Sequence, residues 1–191
     1  MFTDAARGSG TGHGAFSFIR SATDDAVPPV CLHLEKQWEA HVQRALIENR
    51  FSMPAGECFG AVIFADTLLQ TTPGVTHMVV FTDSVATVQA LTTGSSSAPQ
   101  INYLVQWLQT RHPHVQWLGI HQPGKRNCAA DGLSRDGTDS VLAEVSAAGA
   151  VVVQLAAMPA AWSALEYAMT LPLRGADAPD AAQATTTTKR Q

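Results

Sequence analysis

An α/β layer fold is what the sequence predicts, because apolar runs typical of strands alternate along the chain with segments of helical spacing. Two such runs, at residues 75–82 and 115–120, have the length and composition of core strands. Between them, apolar residues recur every three or four positions, as on the buried face of a helix. Strands separated by helices in this way favour one sheet with helices packed on it.

The first part of the chain is predicted to contain a hairpin, a short strand and two helices. Glycines alternate at positions 8, 10, 12 and 14 before a period-2 apolar stretch at 15–19, which predicts a hairpin that another group approaches closely. Residues 21–29 are typical of a loop, and residues 30–34 of a short strand. Helical spacing then predicts a helix over 36–49 and a second helix from Pro54, with Glu57 in its first turn.

The second part continues the alternation. A short helix is expected after residue 84, another around 101–108, and a turn at 111–114 before the strand at 115–120. We expect one α/β domain over residues 1–136 and an extension over 137–172 that packs on it. The tail at 173–191 is rich in Ala, Asp and Thr and is expected to be disordered.

Composition indicates a soluble intracellular protein, in the cytoplasm or nucleus. The chain has 191 residues, 46% of them hydrophobic, which is enough for one domain with a substantial core. Its three cysteines are odd in number and form no C-x-x-C pair, which favours a reducing compartment. No stretch approaches the roughly 20 apolar residues of a membrane span, and we expect no membrane partner and no signal peptide.

The charge distribution favours an acidic site with a small basic rim. The net charge of −4 argues against a tight, free-standing nucleic-acid binder. No Lys or Arg occurs between Arg50 and Arg111, whereas Lys125, Arg126 and Arg135 cluster. This pattern suits an enzyme that meets phosphate groups through metal ions.

The tripeptide Phe-Thr-Asp occurs twice, ending at Asp4 and Asp83. The second copy closes the strand predicted at 75–82, and the carboxyl ends of strands in open α/β sheets are where ligands bind. Two carboxylates on neighbouring strands repel unless a cation or a shared proton lies between them. The duplication therefore points toward a metal site, although Asp83 could instead cap a helix that begins near Ser84.

A segment after the strand at 115–120 resembles a known family signature. Residues 121–135 read His-Gln-Pro-Gly-Lys-Arg-Asn-Cys-Ala-Ala-Asp-Gly-Leu-Ser-Arg, similar to the run that closes the ribonuclease H domain of retrotransposon reverse transcriptases. Three other segments fall in the family's order: the glycine hairpin after Asp4 resembles its first strand, residues 54–61 with Glu57 its first helix, and residues 79–84 its fourth strand. The resemblance covers residues 2–136.

This resemblance implies a mixed five-stranded sheet with helices on both faces, and cleavage of the RNA strand in RNA–DNA hybrids. Carried over by position, Asp4, Glu57, Asp83 and Asp131 would hold two Mg²⁺ ions, with Mn²⁺ as the alternative. Carboxylate oxygens, water and substrate phosphate are the ligands that Mg²⁺ commonly takes, and two such ions suit an in-line displacement.

The resemblance also suggests residues that meet the substrate. His121 matches a histidine of cellular ribonucleases H and is a candidate for proton transfer to the leaving group or for aiding product release. The alternative is a loop histidine without a partner. Asn127 either binds substrate or caps the helix of Asp131. Asp66, within the Glu57 helix, is expected to be solvated or paired. The expected substrate-binding residues are Gly8, Gly10, Gly12, Lys125, Arg126 and Asn127.

The glycines and the chain start leave alternatives open. The hairpin glycines could bring backbone amides to the hybrid's sugar–phosphate edge, or could simply form a hairpin. Only Met1 and Phe2 precede Thr3-Asp4, so the first strand is expected to be truncated, as in a fragment of a polyprotein. No basic element is evident between residue 84 and Asn102, so hybrid affinity would come from a tethered reverse transcriptase domain. The alternatives are an inactive remnant or scaffold with the same fold, and a related transposase or resolvase.

Overall fold

The computed structural model describes residues 1–6, 12–19, 26–135 and 138–173, apart from the side chain of Lys125. The described residues form one sheet and seven α-helices. The strands are β1 (Phe2–Ala5), β2 (Gly12–Ile19), β3 (Val30–Gln37), β4 (His77–Thr82), β5 (Gln116–His121) and β6 (Val151–Gln154). The helices are α1 (Ala40–Ile47), α2 (Met53–Thr71), α3 (Val85–Thr93), α4 (Pro99–Arg111), α5 (Cys128–Ser134), α6 (Thr138–Ala147) and α7 (Pro159–Thr170), with a 3₁₀ turn at Gly124–Arg126.

The sheet is mixed, with the strand order β5-β4-β1-β2-β3-β6. Strand β2 runs antiparallel to both β1 and β3, whereas β4 runs parallel to β1 and to β5. The predicted α/β class is confirmed. The expected strand number of five is wrong, because β6 joins the edge parallel to β3.

The register brings the two Phe-Thr-Asp copies together. Phe2 pairs with Phe81 across the parallel strands β1 and β4, so these strands end at the same edge of the sheet. Asp4 lies within β1, and Asp83 directly follows β4.

Helix α2 forms the centre of the core on one face of the sheet. Ser52 caps it by accepting a hydrogen bond from the backbone N–H of Ala55, and Pro54 occupies its first turn. Apolar residues surround its whole circumference, as expected of a helix buried on all sides. A Cβ on Gly60 would lie 3.1 Å from the Cβ of His13, so the glycine allows α2 to approach β2 closely. Helices α4 and α7 pack against α2.

The opposite face is only partly covered. Helix α5 packs on β1 and β2, where a Cβ on Gly14 would overlap Leu133, and α6 follows it with no fully buried residue. Helices on both faces are therefore confirmed. The prediction of a core strand at 75–82 is only partly confirmed. Met78 and Val80 are buried, whereas Val79 is 36% exposed on this open face.

Two predicted boundaries differ from the structure. The helix expected over 36–49 is the shorter α1, because Lys36 pairs with His13 and so extends β3 beyond residue 34. The apolar extension is built from α6, β6 and α7.

Four features singled out in the sequence lie outside the described residues: Gly8, Gly10, the boundary near residue 136 and the tail from 174 onward. None of the helices in the described part of the chain is long and apolar enough to cross a bilayer.

Candidate active site

Four carboxylates from four different elements share one electrostatic neighbourhood at the ends of β1 and β4. Burial, together with the nearby charges of Asp83 and Asp131, raises the pKa of Asp4 to about 6, against the opposing hydrogen bond from Ser134. Burial also raises the pKa of Glu57 to about 7, again with contributions from Asp83 and Asp4. The structure therefore brings together all four predicted acidic residues.

Glu57 enters this cluster from the second turn of α2. The helix begins at Met53 rather than at Pro54, and no acidic residue lies in its first turn. The expected placement of Glu57 in the first turn is therefore wrong, and the helix dipole does not explain this residue. Its carboxylate is instead hydrogen-bonded by Ser84, at the start of α3.

Asp83 is not the cap of α3. Ser84 is the capping residue, because its hydroxyl accepts from the backbone N–H of Thr87. The Oδ1 atom of Asp83 is buried without a hydrogen-bond partner, and its Oδ2 atom lies 3.4 Å from where a Cβ on Gly124 would stand. A buried carboxylate oxygen without a donor is suited to a cation.

Asp4 and Asp131 are oriented by Ser134, which sequence reasoning did not assign to the site, and by Arg135, which it placed only in the basic rim. The hydroxyl of Ser134 donates to Oδ2 of Asp4 at 2.9 Å, which ties the last turn of α5 to β1. Arg135 donates from Nε to Oδ1 of Asp131 at 2.7 Å, between side chains that are 55% and 44% exposed. Ser134 and Arg135 follow Asp131 by three and four residues, a spacing that places them on the same side of a helix as Asp131. This spacing is the sequence signal that could have assigned both residues to the site.

Asn127 holds α5 against the sheet. Its side-chain amide donates to the backbone oxygen of Thr3 at 2.9 Å, and the residue is 2% exposed. Although it stands at the start of α5, its side chain makes no capping hydrogen bond, so the capping interpretation is wrong. The described contact fixes the position of Asp131 relative to Asp4.

The expected substrate-binding residues are spread around this cluster. Arg126 is exposed on the 3₁₀ turn beside Asp83, and His121 is exposed at the end of β5. Among the described residues, no hydrogen bond or ion pair links the His121 ring to the four carboxylates. Gly12 is buried, and a Cβ there would overlap the backbone of Lys36, so packing within the hairpin accounts for this glycine.

Asp66 belongs to a separate, structural cluster. It is fully buried in α2 and accepts hydrogen bonds from Arg111 at 2.9 Å and from His112 at 2.8 Å. It is paired, as the sequence suggested, and it fastens the end of α4 to α2.

The donor set fits a hard divalent cation by its chemistry. Carboxylate oxygens are the ligands that Mg²⁺ prefers, two of the four carboxylates are costly to ionise where they stand, and Asp83 has an orphaned oxygen. Within the described part of the chain, however, no three His, Cys, Asp or Glu side chains converge closely enough to hold an ion as they stand. Ser134 and Arg135 already engage Asp4 and Asp131.

Comparison with known proteins finds similarity to two solved structures. Ribonuclease H1 from the halophilic archaeon Halobacterium salinarum NRC-1 is 14% identical, with a TM-score of 0.46, over 73% of this chain and 96% of that one. The N-terminal RNase H domain of the Mycobacterium tuberculosis protein Rv2228c, solved as a fusion with maltose-binding protein, is 17% identical, with a TM-score of 0.41, over 75% and 94%. No family model and no curated protein matches the chain.

Proposed function

We propose that this protein is a metal-dependent endonuclease of the ribonuclease H type, which hydrolyses the RNA strand of RNA–DNA hybrids. The shared electrostatic neighbourhood of four carboxylates, which come from β1, α2, the residue after β4 and α5, is the observation that carries the proposal; they are Asp4, Glu57, Asp83 and Asp131. The resemblance of residues 121–135 to the closing signature of retroelement ribonuclease H domains supports the substrate class.

The four carboxylates would hold two Mg²⁺ ions, which when bound supply Lewis-acid stabilisation of an in-line phosphodiester hydrolysis. The chain itself contributes the orientation of the ligands. Ser134 fixes one oxygen of Asp4, and Asn127 fixes α5 and hence Asp131. Binding requires Arg135 to release Oδ1 of Asp131, and the exposure of both side chains allows that movement.

His121 would transfer a proton to the leaving oxygen or aid product release, since an imidazole titrates in the range that either role needs. Arg126, with Lys125, would contact the substrate backbone next to Asp83. Asn127 reaches the substrate only through the segment that it anchors, because its amide is buried against Thr3. Contact of the hybrid with Gly8 and Gly10 stays a prediction from the sequence, whereas Gly12 is buried against the backbone of Lys36.

We further propose that the chain acts as part of a retroelement polyprotein, beside a tethered reverse transcriptase domain. The acidic net charge and the few basic residues near the site support this context, since they provide little hybrid affinity. Fusion of a basic hybrid-binding module should then raise cleavage strongly at low substrate concentration. Unchanged cleavage by the fusion would contradict the tethering proposal.

A non-catalytic scaffold is the second candidate, and the ion pair between Arg135 and Asp131 is the observation that favours it. In that case the arginine takes the place of a cation and the cluster serves only to hold α5. A transposase-like or resolvase-like nuclease is a third, and cleavage of double-stranded DNA in preference to hybrid would identify it.

The test is cleavage of a fluorescent RNA–DNA hybrid in Mg²⁺ by the wild type, by Asp83→Asn and by Glu144→Gln. Glu144 is an exposed carboxylate on α6, so its amide variant is a matched control. Hybrid-specific cleavage that Asp83→Asn lowers on the order of 10²-fold or more, with Glu144→Gln unchanged, supports the enzyme. A folded wild type that cuts no hybrid, or an Asp83→Asn variant with full activity, overturns it.

A further inference from the structure

Ser84 links the Glu57 carboxylate to a second hydroxyl on α3. The Ser84 hydroxyl donates to Glu57 and accepts twice from Thr87, at 2.9 Å from the Thr87 hydroxyl and at 3.4 Å from its backbone N–H. Ser84 is 5% exposed and Thr87 is fully buried, so water does not compete with these contacts. Two buried hydroxyls in series therefore lie behind Glu57.

The directions of these hydrogen bonds follow from the single proton on each hydroxyl. A serine hydroxyl has one proton and two acceptor lone pairs. The two contacts from Thr87 occupy the lone pairs of Ser84, which leaves its proton for Glu57. The Thr87 hydroxyl is in turn within hydrogen-bonding reach of the buried thiol of Cys58, and a thiol is a weak donor. The donors thus run in one direction, from Cys58 through both hydroxyls to the Glu57 carboxylate.

The Thr87 hydroxyl differs in its partner from other threonines in the helices. Thr67, Thr71 and Thr93 each donate to the backbone oxygen four residues earlier in their own helix, which is a common arrangement for a helical threonine. Thr87 donates to the side chain of Ser84 instead. Its hydroxyl therefore serves a neighbouring side chain rather than the backbone of α3.

Capping of α3 does not account for the Thr87 hydroxyl either. The cap is the hydrogen bond from the backbone N–H of Thr87 to Ser84. In a capping box, the side chain at the position of Thr87 would satisfy the backbone N–H of the capping residue, but here the Thr82 hydroxyl does so at 3.2 Å. A valine at position 87 would keep both contacts. What the hydroxyl adds is the orientation of Ser84 toward Glu57.

Helix α3 is held closely on the sheet, which gives the two hydroxyls a fixed base. A Cβ on Gly119 of β5 would lie 2.6 Å from the Cα atom of Val88, so this glycine allows α3 to lie directly on the strand. The backbone N–H of Gly119 also donates to the Thr92 hydroxyl at 3.0 Å. Because α3 also packs on β4, the position of Ser84 is fixed relative to the strand that Asp83 follows.

We propose that Thr87 is a positioning residue for metal binding, which acts through Ser84 to hold the Glu57 carboxylate in the orientation that ligates a divalent cation. The inference rests on the proposed function, because it takes Glu57 as a metal ligand. Partners that hydrogen-bond a metal ligand fix its orientation, and their loss weakens metal binding or activity. Thr87 extends this principle one hydrogen bond further from the ion.

The first measurement is Mn²⁺ binding to the full chain without substrate at pH 8, followed by the electron paramagnetic resonance signal of free Mn²⁺. Thr87→Val removes the hydroxyl but keeps the shape of the side chain and the cap, and it should weaken Mn²⁺ binding at least about threefold. Thr87→Ser restores a hydroxyl and should bind Mn²⁺ as the wild type does. Wild-type affinity in Thr87→Val, or equally weak binding in Thr87→Ser, overturns the proposal.

Thr67→Val is the matched control for the loss of a buried hydroxyl. Thr67 is 1% exposed and donates to the backbone oxygen of Ile63 at 2.7 Å. It lies ten residues after Glu57 on α2, or about 15 Å along the helix axis. Its substitution should lower the free energy of unfolding and leave Mn²⁺ binding unchanged. Equal weakening of Mn²⁺ binding in Thr67→Val and Thr87→Val would show a general effect of stability and overturn the assignment.

Urea unfolding in EDTA provides a readout that requires neither a metal nor activity. At pH 8, Thr87→Val should change the unfolding equilibrium constant at least about threefold more in the wild-type background than in Glu57→Gln, because residues of one hydrogen-bond network are coupled. Thr67→Val should have the same effect in both backgrounds. Additive effects of Thr87→Val and Glu57→Gln would overturn the positioning role alone. Failure of the folded wild type to bind Mn²⁺ would instead contradict the proposed metal site, and the role of Thr87 with it.

Discussion

Replacing Glu57 with glutamine should stabilise the metal-free protein at alkaline pH. Burial and the neighbouring charges of Asp83 and Asp4 raise the pKa of Glu57 from 4.5 to about 7, against the opposing hydrogen bond from Ser84. The folded state therefore holds a proton that the unfolded state releases. The contribution of protonated Glu57 to the free energy of unfolding is fully present below pH 4.5, and it is lost as the pH rises through about 7.

The size of the effect follows from the separation of the two pKa values. An ionised carboxylate whose pKa rises from 4.5 to about 7 opposes folding by roughly 3 kcal/mol at pH 8, and by roughly 1 kcal/mol at pH 5. Both figures are upper bounds, because Glu57 is only partly buried and water screens its charge. Glutamine keeps the shape of the side chain and retains a partner in Ser84, so we expect Glu57→Gln to recover between about 1 and 3 kcal/mol at pH 8.

The assay is urea unfolding in EDTA at pH 8 and pH 5, with Glu144→Gln as the matched control on exposed α6. Glu57→Gln should raise the free energy of unfolding clearly more at pH 8 than at pH 5, and Glu144→Gln should change it little at either pH. Destabilisation by Glu57→Gln at pH 8, or an equal effect at both pH values, would refute the electrostatic description of the cluster.

Three further predictions concern other groups. Burial lowers the pKa of His13 to about 3, so the neutral ring contributes to the free energy of unfolding above pH 6.5, and this contribution is lost as the pH falls. In the wild type, this histidine should make the free energy of unfolding about 2 kcal/mol lower at pH 5 than at pH 7, and His13→Leu should abolish that difference in urea unfolding. Asp66→Asn removes the buried carboxylate that Arg111 and His112 share, and it should lower the free energy of unfolding by about 3 kcal/mol in the same assay. Mg²⁺ at 100 times its Kd should stabilise the wild type by about 2.7 kcal/mol, with no gain in Asp83→Asn by thermal unfolding.

The edge of the sheet where the acidic residues meet could be predicted from the sequence because it depends on local patterns. Each Phe-Thr-Asp copy lies at the carboxyl end of a strand, and the carboxyl ends of parallel neighbouring strands meet at one edge of the sheet. The structure places Asp4 and Asp83 as this reasoning requires. Glu57 and Asp131 came from the family resemblance instead, and their own neighbourhoods carried little local signal.

The contacts that hold the cluster in place could not be predicted, because they join positions far apart in the chain. Ser134 meets Asp4 across 130 residues, and Asn127 meets Thr3 across 124. Local sequence rules describe what a residue does for its own helix, so they left capping and substrate binding as the two alternatives for Asn127. The tertiary alternative prevailed because α5 packs on β1 and the backbone oxygen of Thr3 accepts the hydrogen bond from the Asn127 amide.

The partly wrong prediction for residues 75–82 is informative about the open face of the sheet. A continuous apolar run is typical of a strand covered on both sides, yet β4 is covered on one side only, and Val79 lies 36% exposed beside Leu118 at 46%. The exposure of Val79 follows from the position of α5, which packs on β1 and β2, so an apolar run predicts a strand without showing that both of its faces are covered.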